Sequence, residues 1–213
     1  YRKESPGGWT RERITFDAAY GGERVAAYLF LPRTTRPPFQ TVVYFPGEVA
    51  LQVPLSQDVE SYPDFAMYLH ALVRDGRAVL FPVYKGTFER GNPAMASVAW
   101  RAHAYTELLT QMIKDVRRSI DYLETRTDLD SRKLVYYGNS WGGALGSLTT
   151  AVEQRFAASV LVGGTLAGGP EHPEVYGLNY VTRVRTPTLM LNGKYDRGID
   201  TRIKPMFELL GTP

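Results

Sequence analysis

The sequence predicts an α/β fold: a mostly parallel central sheet, helices on both faces, and an antiparallel hairpin at its N-terminal edge. Three observations predict it. Short, continuously apolar runs at 41–45, 78–83, 134–137, 158–162 and 188–191 have the look of strands buried on both faces. Amphipathic segments with a helical period lie between several of them. The resulting β-α-β alternation calls for right-handed crossovers that coat both sides of a sheet.

Along the chain, residues 13–17 and 24–31 alternate apolar with polar positions around Gly21 and Gly22, which reads as a hairpin with a glycine turn. After the strand at 41–45, Phe65, Tyr68, Leu69 and Leu72 fall at i, i+3, i+4 and i+7, and Asp75-Gly76 ends that helix. A longer crossover helix carries Leu109, Met112, Ile113, Val116, Ile120 and Leu123 on one stripe, leaving Lys114, Asp115, Arg117 and Arg118 for the wet side. A helix is expected from Ala144 to Val152, and another from Asp200 toward Phe207 and Leu210, with Asp200 as its cap. No repeat or linker interrupts 1–213, so one domain is expected.

Composition narrows the class. The 213 residues are 44% hydrophobic and 22% charged, the balance of a globular domain. A chain of this length buries roughly 70% of its unfolded surface, so its core needs no staple. The net charge of +3 comes from scattered residues, which argues against a nucleic-acid partner. Cysteine is absent, which removes thiol chemistry. No apolar stretch is long enough for a membrane helix, and the first thirty residues lack a signal-peptide pattern, so neither a membrane partner nor a particular compartment is indicated.

Chemistry concentrates in Gly138-Asn139-Ser140-Trp141-Gly142, a G-x-S-x-G after an expected strand and before an expected helix. In that context Ser140 occupies a sharp turn that lifts its hydroxyl over the sheet edge, and the flanking glycines let strand and helix close around it. The Trp141 amide, at a helix start, is placed to stabilise an oxyanion. The alternative is a glycine-rich turn with an incidental serine. No phosphate-binding glycine pattern occurs, which disfavours nucleotides, and no metal or cofactor is called for.

On these residues, with Tyr44-Phe45-Pro46-Gly47, Asp128 to Lys133 and Asn192-Gly193-Lys194-Tyr195-Asp196, the chain resembles the α/β-hydrolase superfamily. More narrowly, it resembles the cap-poor esterases and peptidases related to dienelactone hydrolase, acetyl xylan esterase and prolyl oligopeptidase. The resemblance implies the α/β-hydrolase fold and a serine carboxylic-ester hydrolase working through an acyl-enzyme on Ser140. It implies a second oxyanion amide at Glu48, with Val49 next in line, and Asp196 as the triad acid, preferred over Asp200. A prolyl-oligopeptidase-type peptidase and a non-catalytic interaction domain on the same scaffold are the alternatives.

The pattern breaks at the base. The superfamily order is serine, acid, histidine, yet His70, His103 and His172 all precede Asp196. His70 and His103 read as packing or surface residues, and His172 as a pocket residue. The histidine is therefore expected after residue 213, with the last strand and helix of the fold missing, or from a second chain. The final strand, 188–191, is then an open apolar edge. The loop from Gly163 to Tyr180, with five glycines, Pro170 and Pro173, reads as a short lid over an open site for a small ester substrate. Tyr84, Phe88 and Trp141 are candidate aromatic walls, with packing against the sheet the alternative.

Overall fold

A computed structural model describes residues 1–5, 7–91, 99, 101–169 and 171–211. Its centre is an eight-stranded sheet built from β1 (Arg2–Ser5), β2 (Trp9–Asp17), β3 (Arg24–Pro32), β4 (Phe39–Phe45), β5 (Ala78–Pro82), β6 (Leu129–Asn139), β7 (Phe156–Val162) and β8 (Thr188–Leu191). The spatial order is β1-β2-β3-β5-β4-β6-β7-β8. The last five in that order run parallel, while β1, β2 and β3 are antiparallel to their neighbours.

The expected hairpin is β2 and β3, with Asp17 opposite Arg24, turning through Gly21 and Gly22 at positive φ. It is not the edge. β1, which has no apolar alternation to announce it, adds outside β2, so β3 is paired on both sides and buried along almost its whole length.

β3 shows why the strands read as continuous apolar runs. Val25, Ala27, Leu29 and Leu31 belong to one core, Ala26, Tyr28 and Phe30 to the other, so successive side chains serve opposite faces of a sheet covered on both. On the first face lies α2 (His103–Glu124), burying the expected stripe together with Tyr105 and Leu108. On the second lies a wide π-type turn, Phe65–Leu69, running into α1 (His70–Arg74) and stopped at Gly76, whose φ is +89°.

Asp115 corrects the reading of α2. It is fully buried, not on the wet side. Arg90 Nη1 donates to it at 2.6 Å, Tyr20 Oη at 2.8 Å and the Lys85 amide at 2.9 Å. Burial lifts its carboxyl above the usual range while Arg90 and Tyr20 oppose that rise.

The expected helix at 144–152 appears as α3 (Trp141–Ala144) and α4 (Gly146–Val152), with Leu145 between them. The lid segment contains α5 (Leu178–Val181), and Pro170 lies outside the described residues. Asp200 does not cap the last helix. Gly198, at φ +84°, precedes a π-type turn Ile199–Ile203 that leads into α6 (Lys204–Leu209), and Asp200 pairs instead with Lys204 Nζ at 2.5 Å.

Candidate active site

The chain winds in opposite directions from β4 and β6, which are neighbours: β4 is followed by β5 on one side, β6 by β7 on the other. The crevice beyond the C-terminal ends of such a pair is where parallel sheets receive ligands. The loops leaving these two strands carry Glu48 and Ser140.

Ser140 stands between β6 and α3 at φ +51°, ψ −107°, a conformation that costs a non-glycine residue on the order of 1–3 kcal/mol. The surroundings enforce it. The Ser140 amide donates to the Val162 carbonyl on β7 at 2.7 Å, and Tyr136 Oη donates to the Gly142 carbonyl at 2.7 Å. A Cβ on Gly138 would lie 2.3 Å from the Gly142 oxygen, one on Gly142 2.4 Å from the Phe45 oxygen, and one on Gly143 2.7 Å from the Val162 oxygen. All three contacts are with backbone, which cannot move aside, so these positions require glycine. The serine itself is exposed.

Two sets of amides with no hydrogen-bond partner among the described residues flank it. In α3 the first internal hydrogen bond runs from Ala144 to Ser140, leaving the Trp141 amide ahead of the helical ladder. After β4, Glu48 opens the 3₁₀ turn Glu48–Leu51, whose first internal bond runs from Ala50 to Gly47, so the Glu48 and Val49 amides are likewise ahead of it. A Cβ on Gly47 would lie 3.4 Å from Ser140 Cβ, which puts the two loops in direct apposition. The arrangement presents one hydroxyl beside two helix starts.

Asp64 ties these loops from below, and nothing in the sequence announced it. Its Oδ2 accepts from Tyr44 Oη at 2.5 Å and from Asn139 Nδ2 at 3.3 Å, joining β4 to the residue before Ser140. Burial and the Asp64 charge push the Tyr44 phenol up.

Asp196 lies in the loop after β8, at the same end of the sheet, where its carboxylate accepts from the Gly193 amide at 2.8 Å. None of the three histidines reaches Ser140 or Asp196. His70 packs edge-on to Trp9, with ring centroids 5.3 Å apart, and the His103 side chain is 82% exposed. His172 is not among the residues described around the cavity at Trp141: its Nε2 sits 2.7 Å from the Arg101 carbonyl, whereas its neighbour Glu171 lines that cavity.

Tyr84 is also displaced from the expected role. It is fully buried, stacked on Phe45 at 4.2 Å, with its hydroxyl donating to the Tyr44 carbonyl at 2.9 Å. Phe88 packs edge-on to Tyr62 and Phe81 and is core as well. Of the three aromatic candidates, Trp141 lines a described cavity. Its volume is about 130 Å³, between α3, α4 and the 165–177 segment, with Leu145, Leu148, Leu166 and Val175 on the walls and Tyr105, Glu171 and Arg202 as polar members. Leu166 and Val175, from the expected lid, are buried in this wall. Among the described residues, no group of three or more His, Asp or Glu side chains is placed to hold a metal ion, and no helix is long and apolar enough to cross a membrane.

A sheet of this order, with a strained serine between strand and helix at the switch point, defines an α/β-hydrolase. Residues 28–208 match the dienelactone hydrolase family, and the chain belongs to it. It is accordingly placed among hydrolases. A curated relative, the α/β hydrolase domain-containing protein WAV2 of Arabidopsis thaliana, is 28% identical in a 113-residue alignment, with coverage of 40% of this chain and 37% of that protein.

Among solved structures, the acetyl xylan esterase from Paenibacillus sp. R4 superposes with a TM-score of 0.67 at 17% identity, covering 99% of this chain and 78% of that one. A cold-adapted esterase from an Arctic intertidal metagenomic library gives 0.70 at 16%, covering 99% and 83%. A prolyl endopeptidase gives 0.70 at 17%, covering 99% of this chain and 34% of that one. At these identities the likeness is one of fold.

Proposed function

We propose that the protein is a serine carboxylic-ester hydrolase. The observation that carries the reading is the exposed Ser140, held at positive φ beside two helix starts whose first amides have no partner among the described residues. In this reading Ser140 Oγ attacks the ester carbonyl, and the Trp141 and Glu48 amides receive the oxyanion. The alcohol leaves, and water then releases the acid from the acyl-enzyme. The cavity behind Trp141 is the acyl pocket, and its size suits a short acyl group. No cofactor is required by this chemistry.

Asp196 orients the base, an imidazole from polypeptide other than these 213 residues. Support for an external imidazole is the placement of His70, His103 and His172, all away from the serine. Further along the same gene product or on a second chain, it enters beside β8, whose outer side carries no strand among the described residues. The same placement favours a second reading, a non-catalytic domain on the hydrolase scaffold.

Turnover by the full-length protein decides between them. Short p-nitrophenyl esters are expected to be hydrolysed, with Ser140→Ala lowering kcat by at least about 10³-fold, while prolyl peptides are left intact. Absence of ester turnover in a full-length protein carrying the downstream histidine favours the scaffold reading, and cleavage of prolyl peptides favours a peptidase.

A further inference from the structure

The acyl pocket contains a group that an apolar acyl chain does not use. Glu171 lines it among leucines and Val175, and among the described residues no Lys, Arg or His nitrogen lies within 4 Å of its carboxylate. The Gly177 amide nearby, a neutral group, favours its charged form. A carboxylate without a cation in such surroundings is poorly solvated, and burial pushes it up to about 7.

The other charged and titratable groups nearby form no ion pair with Glu171 among the described residues. Arg202, on the same lining, lies over Gly198 and donates from Nη2 to the Arg197 carbonyl at 3.1 Å, toward the open cleft formed with Arg197 and Thr201. His172 faces Arg101 and Glu174. Burial raises the Tyr105 phenol to about 12. The cavity thus offers largely apolar walls, Arg202 engaged with the Arg197 carbonyl, and a carboxyl with no cation within 4 Å among the described residues.

Resting on the esterase reading, we infer that this pocket selects short acyl groups that end in an ammonium, which the Glu171 carboxylate holds. The chemistry is complementary: methylenes of the acyl chain cover the leucines, and the ammonium supplies the ion-pair partner that Glu171 lacks among the described residues. The cavity accommodates about six heavy atoms, since an empty apolar cavity near 150 Å³ takes up benzene. An ammonium on a four-carbon chain beyond the carbonyl fits that limit.

The test separates the subsite from the reaction. In the full-length protein carrying Ser140→Ala, the Trp141 indole NMR signal, assigned with Trp141→Phe, is titrated at about pH 8 with 3-methylbutylamine and with its neutral isostere 3-methylbutan-1-ol. The amine is expected to bind at least about 10-fold more tightly, and Glu171→Gln to bring the two within about 2-fold while the alcohol still binds. Equal binding in the parent protein, a preference that survives Glu171→Gln, or no response of Trp141 to either probe each overturns the inference. With unmodified Ser140, p-nitrophenyl 5-aminopentanoate is then compared with the hexanoate. Turnover of both at equal kcat/KM counts against the ammonium subsite alone. A clear amine preference in binding, with neither ester turned over, supports the subsite and counts against the esterase reading.

Discussion

Ser140 keeps φ +51° because the backbone on three sides leaves its neighbours no room for side chains. Gly142→Ala forces a methyl against the Phe45 carbonyl, so chemical denaturation is expected to show a loss of about 1–3 kcal/mol. Serine-directed labelling should fall with it; full labelling at unchanged stability would mean that the elbow is not held by this contact. Glu171 makes a second prediction at this scale. Its carboxyl binds its proton more tightly in the folded chain, near 7 against an ordinary value of 4.5. The associated stability is present below 4.5 and lost as pH rises through 7. Thermal melts should therefore show Glu171→Gln gaining on the parent between about pH 5 and pH 8, whereas a constant difference would contradict the shift. The glycines and the serine were legible because each position admits few residue types. Asp64, Tyr105, Glu171 and Arg202 were not, because only folding brings them to the site.

Among the elements, the strands announced themselves where both faces are buried, and β1 did not because its side chains are exposed or nearly so. α2 shows the limit of periodicity. Lys114, Arg117 and Arg118 surround Asp115 in sequence and suggest solvent, yet its partners Arg90 and Tyr20 lie 25 and 95 residues away. This cluster fastens the loop after β5 to α2: Arg90 also donates to the Val83 carbonyl at 2.8 Å, and Tyr84 from the same loop stacks under Phe45. Arg90→Met strands a fully buried carboxylate and is expected to cost about 3–5 kcal/mol in urea unfolding. The paired change Arg90→Met with Asp115→Leu should recover most of that. A loss below about 1 kcal/mol for the single change would show that the ion pair is dispensable.

For the whole molecule, the consequential feature is the reversal of winding between β4 and β6, which brings two loops nearly a hundred residues apart into apposition at Ser140. The alternation of strands and helices made an α/β sheet legible, and the β-strand, serine, helix context made the edge that carries the candidate site legible. The strand order became visible only in the folded sheet. At the far side, β8 exposes Leu189 by 54% and Leu191 by 47%, and Phe207 on α6 by 60%. An apolar edge of this kind seeks a partner. For the 213-residue chain alone, light scattering should therefore report self-association that falls when Leu189 and Leu191 are both replaced by lysine. Unchanged scattering would show that this edge does not drive it.

The central claim is that Ser140 is a nucleophile displayed beside an oxyanion site, and covalent capture reads it most directly. After exposure of the full-length protein to a fluorophosphonate, peptide mass mapping is expected to find a single adduct on Ser140. Gly142→Ala and Ser140→Ala should lose it. An unmodified Ser140, or an adduct on another hydroxyl with Ser140 untouched, would contradict the claim.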